Sequence, residues 1–168
     1  MEHLMALARP STLPGVNTFT PVQLLRVAHL FASDPDLPEL LPPRSEDPGG
    51  RRWHQLAETH HLQLWVIEWP PGAGTGFHDH GGSRGAFTVV RGALTERQVV
   101  HGVIHERRLR EGEGRAFGAN HLHDVVNTGD VAALSVHAYS PRLDQMTHYD
   151  LVDGELVPSG VEQRGESW

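Results

Sequence analysis

Cysteine is absent from all 168 residues. That excludes a disulfide scaffold, a cysteine nucleophile and any thiolate metal ligand from the chain itself. Basic residues are short: 14 Lys and Arg stand against 21 Asp and Glu, for a net charge of -7. This balance disfavours nucleic acid and anionic membrane surfaces as partners. No apolar run is long enough to span a bilayer. The first residues carry a single early Arg9, then prolines, and no apolar signal core. No secretory leader is expected, and the cytoplasm is the expected compartment. No segment from 51 to 140 has the pattern of a long helix, and no DNA-binding segment is attached. The length favours one domain with a single core, as a monomer or small homo-oligomer.

Histidine, glycine and proline are plentiful, at 13, 18 and 12 residues. Residues 1–19 are broken by Pro10, Pro14 and Gly15 and read as loosely ordered. Thr20 and Pro21 open a helix, as cap and first-turn residue, that continues to about Phe31. Residues 34–50 hold five prolines and two glycines and read as a linker or surface wrap. From Arg51 the period shortens. Leu62–Trp69 reads as a strand, and strands recur at 86–91, 94–101, 103–109, 115–117, 123–127 and 132–139. Gly turns separate them, the pattern of a sandwich or small barrel. The expected organisation is an N-terminal helical segment and Pro-rich wrap over 1–50 and a barrel over 51–152. A C-terminal tail, or a late short strand, follows over 153–168.

The chemistry concentrates in Gly72-Ala-Gly-Thr-Gly-Phe-His78-Asp79-His80 and in Asn120-His121-Leu122-His123-Asp124. In an extended strand, residues two apart face the same way. His78 and His80 then aim at one point, which suits a late first-row metal. Asp79 points to the opposite face. His123 is the preferred third ligand, and His121 is its competitor two residues earlier. A second informative stretch is Ala132–Pro141. Leu134, Val136 and Ala138 share one face, and Ser135, His137 and Tyr139 the other. The polar row has two readings: an outer face in water, or a row pointing into the barrel beside the metal. In the second, Ser135 orients His137 and His137 bonds the Tyr139 hydroxyl.

The spacing of the two histidine stretches resembles the cupin family. Gly72, His78, His80 and Gly92 fit its first motif, with Gly85 where a Glu stands in the family. Gly112, His123 and Asn127 fit the second, with Gly118 and Asn120 replacing its Pro and second Gly. The resemblance implies a mainly β fold, a small jelly-roll barrel. Loss of the Glu leaves three neutral imidazoles, which bring no negative charge to a dication. An anionic soft ligand such as a substrate thiolate would supply it.

The row Ser135-x-His137-x-Tyr139-Ser140-Pro141 makes the chain similar to the cysteine dioxygenase group of thiol dioxygenases. The resemblance implies Fe(II) held by His78, His80 and His123, an outer row of Ser135, His137 and Tyr139, and a cis Ser140-Pro141 bond. It implies a small thiol and O2 as reactants, with L-cysteine converted to its sulfinate. Mammalian members crosslink the Tyr to a Cys whose place here is Gly85. That crosslink is impossible in a cysteine-free chain, and many bacterial members resemble this one in carrying Gly there. The family's carboxylate-reading Arg falls at Gln55, which donates a hydrogen bond but no charge. Gln at that place is similar to 3-mercaptopropionate dioxygenases, and Arg52 or Arg84 are the other candidates. Arg51 and Arg52 otherwise read as solvated surface. A silent ligand-binding cupin and a cupin isomerase are the competing classes.

Overall fold

A computed structural model of the chain describes residues 18–44 and 50–164. The loose order expected of residues 1–19 thus falls mostly outside the described residues. One helix, α1 (Pro21–Ala32), is followed by a 3-10 turn at Leu37–Leu40. Eleven strands come next: β1 (Arg52–Glu58), β2 (Gln63–Trp69), β3 (Phe77–His78), β4 (Arg84–Arg91), β5 (Ala93–Val100) and β6 (Val103–Arg110). The chain ends with β7 (Gly114–Phe117), β8 (Asp124–Val126), β9 (Ala133–Ser140), β10 (Gln145–Val152) and β11 (Glu155–Gln163). The fold is mainly β, as expected. No described helix is long and apolar enough to cross a membrane.

The strands form a five-stranded sheet, β1-β2-β9-β4-β7, and two three-stranded sheets, β11-β10-β3 and β6-β5-β8. Isolated antiparallel bridges, Gly74 to Val126 and His78 to His123, join the two smaller sheets. Together they make the wall that faces the larger sheet. Between the walls lie Trp69, Phe87, Leu94, Phe117, Val125 and Leu143.

The larger sheet is buried on both faces, and the sequence explains how. Leu64, Val66, Ala86, Leu134, Val136 and Ala138 alternate with inward residues and form one apolar outer surface. Helix α1 lays Leu24 and Ala28 across it. Its start is set by Thr20, whose hydroxyl accepts from the Gln23 amide while Gln23 Oε1 accepts from the Thr20 amide. This is a reciprocal capping box, followed by Pro21 in the first turn. Leu37 and Leu41 join the same cluster. The stretch expected to be only a surface wrap therefore carries two core residues. Its prolines obscure the pattern but leave Leu37 and Leu41 one 3-10 turn apart.

Three strands escape the periodic reading: β1, β3 and β10. Strand β1 has a register shift between Gln55 and Ala57, and β10 one between His148 and Tyr149. A bulge resets the alternation on which the strand signal depends. The polar stretch after residue 153 is β11, paired with the full length of β10.

Candidate metal centre

His78 and His123 come from distant parts of the chain, and the backbone brings them face to face. The His78 amide donates to the His123 carbonyl at 2.9 Å, and the His123 amide returns the bond at 3.1 Å. His80 follows in a loop that turns on Gly81 and Gly82, both at positive φ. Asp79 fastens this loop. Its carboxylate accepts from the Gly81 and Thr147 amides and from the Tyr149 hydroxyl, at 3.0, 3.2 and 2.7 Å. Burial pushes its pKa up, but those bonds outweigh it and hold Asp79 below the ordinary carboxylate value. Asp79 thus points away from the histidines, as expected from the alternation.

The three imidazoles form a near-regular triangle. Ring centroids are 4.9 Å apart for His78–His80 and His78–His123, and 5.0 Å for His80–His123. One ring nitrogen from each lies within 4.8 Å of the others, so the group could hold a metal ion. Burial pushes all three pKa values down and favours neutral rings; repulsion from His123 adds to it at His78, and from His78 and His123 at His80, while Glu96 opposes it at His123. His78 Nδ1 bonds the Gly76 carbonyl at 3.0 Å, and His123 Nδ1 bonds Glu96 at 2.9 Å. Each of those rings keeps Nε2 for the centre. Both nitrogens of His80 are buried and make no hydrogen bond of good geometry. A metal ion would take the lone pair of one of them. The donor set therefore fits a metal such as iron or zinc.

Glu96 escapes the sequence reading. It sits on β5 behind His123 and is 1% exposed. Its Oε1 also accepts from His121 Nε2 at 2.8 Å, and Arg115 Nε stands 2.9 Å from its Oε2. Burial pushes the carboxyl up, but the two histidine bonds and Arg115 overcome this and keep it ionised. His121 thus belongs to the group around Glu96, a second set with ligand-type spacing. The only sequence signal for Glu96 is a lone acid at an inward position of a strand.

The polar row of β9 faces the interior. Trp69 Nε1 donates to Ser135 Oγ at 2.8 Å. Ser135 Oγ lies 2.9 Å from His137 Nε2, and His137 Nδ1 lies 3.3 Å from the Tyr139 hydroxyl. Burial drives the His137 pKa down to about 3 and the Tyr139 pKa upward. Both are neutral. At Gly85, a Cβ would run into the Phe117 ring. Phe117 fills the space in which the mammalian crosslink would lie, and it packs on His80 at 4.8 Å.

A cavity of about 240 Å3 joins these groups, with His78, His123, His137 and Tyr139 in its lining. Arg51 lines it as well, its guanidinium carbon 5.2 Å from the centre of the Trp69 ring. Gln55, Arg52 and Arg84 do not line it. Gln55 is exposed on β1. Arg52 bonds Glu68 at 2.6 and 2.8 Å and the Pro42 carbonyl at 2.7 Å. Arg84 donates to Thr18 Oγ1 at 3.0 Å. Arg51, read from the sequence as solvated surface, is exposed and also lines the cavity. The register of β1 against β2 decides this, and no local pattern reveals it.

Solved structures of other proteins share the fold. The protein TT1209 from Thermus thermophilus aligns with a TM-score of 0.54 at 21% identity, over 65% of this chain and 97% of its own. A conserved Klebsiella pneumoniae protein with a double-stranded beta-helix domain aligns at 0.51 and 21%, over 62% and 86%. An oxalate oxidase in complex with glycolate aligns at 0.51 and 19%, over 60% of this chain. The alignment spans only 56% of the oxalate oxidase chain. These likenesses establish the cupin-type barrel. No curated protein matches the chain in sequence. The family profile of cysteine dioxygenase type I matches residues 26–152. With that match over most of its length and the barrel beneath it, the chain belongs to the cysteine dioxygenase type I family of the cupin fold.

Proposed function

We propose that this protein is a cytoplasmic, mononuclear Fe(II) thiol dioxygenase. It converts a small carboxylate-bearing thiol to its sulfinate, both atoms of O2 entering the product. His78, His80 and His123 are the iron ligands in this reading. The observation that carries it is a group of three buried histidines with ligand-type spacing, two of which, His78 and His123, line one cavity with His137 and Tyr139. When bound, a ferrous ion there supplies adjoining positions for thiolate and O2 and the electrons that activate O2.

The chain's own groups do the rest. Trp69 donates to Ser135, and in the tautomer proposed here Ser135 gives its own proton to His137 Nε2. Neutral His137 then carries its proton on Nδ1 and donates to the Tyr139 oxygen. The Tyr139 O–H is left free to donate to a reactant in the cavity. High pKa keeps that proton in place. Arg51, rather than Gln55, Arg52 or Arg84, is proposed to read the substrate carboxylate, because it is the cation in the lining. Holding thiol and O2 in one shell is the proximity contribution.

The test is O2 uptake by the iron-loaded protein with L-cysteine and with 3-mercaptopropionate, alongside element analysis. Uptake matched by sulfinate, with iron at about one per chain, is the expected result. No uptake with either thiol from protein holding iron overturns the reading. A metal-binding cupin without catalysis would then be the better description.

A further inference from the structure

We infer that the cavity selects a mercaptocarboxylate with an apolar body larger than three carbons, in preference to the amino acid cysteine. This rests on the thiol dioxygenase reading above and adds the substrate class. At about 240 Å3, the cavity holds the liquid volume of about eight waters. A three-carbon thiol acid leaves much of that space empty.

The walls say what fills it. Much of the lining is apolar, with Trp53, Trp65, Ile67, Val125, Leu143 and Met146 beside the polar Thr75, His148 and Glu162. Trp53 and Trp65 meet edge to face at 5.0 Å and make one aromatic surface. Trp53 is 42% exposed, so an aromatic face stays open to a ligand. Cysteine brings an ammonium group, which needs an acceptor when it leaves water. Among the described residues Glu162 is the carboxylate in the lining, and an ammonium there would have to share it with His148 Nε2 at 3.0 Å. A carboxylate is better served. Arg51 lies over the Trp69 ring, and its charge is felt by Tyr139, His137 and His78. Sulfur at the histidines, carboxylate at Arg51 and hydrocarbon on the tryptophans match the metal-ligand, cationic and apolar parts of the lining.

The probe is 3-phenylpropionate, which has the carboxylate and the hydrocarbon but no sulfur. It is titrated into the full-length, Fe(II)-loaded protein without O2, against propionate, and read by tryptophan fluorescence. We expect saturable quenching with 3-phenylpropionate bound about tenfold or more tighter than propionate. Trp53→Ala should remove that advantage and leave propionate binding alone, whereas Arg51→Gln should weaken both. In air, kcat/KM should rank 2-benzyl-3-mercaptopropionate above 3-mercaptopropionate, with L-cysteine last. No quenching by 3-phenylpropionate, or L-cysteine ranking first, overturns the inference. Quenching with no thiol oxidised leaves the inference standing and removes the proposed reaction instead.

Discussion

In the proposed tautomer Ser135 accepts from Trp69 and donates to His137, which leaves the Tyr139 proton free for the cavity. Tyr139→Phe removes that one proton and no metal ligand. Iron content should stay unchanged while turnover falls about a hundredfold, the usual scale for a positioned proton donor. Iron analysis with initial rates checks this, and loss of iron would show the hydroxyl has another role. Glu96 acts on the other side of the centre. It fixes the His123 ring by accepting from Nδ1 and lends a negative charge behind a triad that has none of its own. Glu96→Gln keeps the size and loses the charge. Metal affinity, read by competition with a chelator, should weaken about 10–100-fold.

At the scale of elements, β9 decides the site. All eight of its residues are buried. Pattern alone allows the Ser135–His137–Tyr139 row to face water. The helix removes that option, because α1 covers the Leu134, Val136 and Ala138 face and leaves the polar row inside. That burial is tolerated only because each polar group has a partner. Leu24 is the main apolar contact from α1 and is fully buried. Leu24→Ala should cost about 2–5 kcal/mol, transfer plus cavity. A shift of the urea midpoint with an unchanged slope checks it. A cost under about 0.5 kcal/mol would mean that α1 is not anchored as described.

Across the whole molecule, the histidine triangle spans a seam. His78 and His80 sit at the β3 end of one small sheet, and His123 at the β8 end of the other. Among the described residues the two bridges and the bonds of residues 72–75 to 125–127 hold this seam, and an ion held by all three histidines would add a further tie. A ligand bound by the folded state alone adds stability by mass action, about 3 kcal/mol at a hundredfold excess over Kd. For a chain of this size that should raise Tm by about 5–10 °C. Thermal unfolding with and without Fe(II) under anaerobic conditions checks it. In His80→Ala the shift should vanish, and an unchanged shift would place the ion elsewhere.

Much of this was legible in the residues. The spacing of two draws attention to His78 and His80, although His80 lies past the end of β3 in a loop, and the resemblance to the cupin motifs singles out His123. The run of short strands marks a barrel, since a strand's alternation and a tight turn's positive φ are local facts, and Thr20-Pro21 marks the start of α1. What the tertiary structure decided has a different physical origin. Glu96 meets His123 through strand pairing across 27 positions, and Arg51 reaches the cavity through the register of β1 on β2. The inward turn of the Ser–His–Tyr row depends on a helix more than a hundred residues earlier. Chain-local preferences set which residues alternate and where they turn. Which face is dry, and which charges meet there, is settled only when distant strands pack.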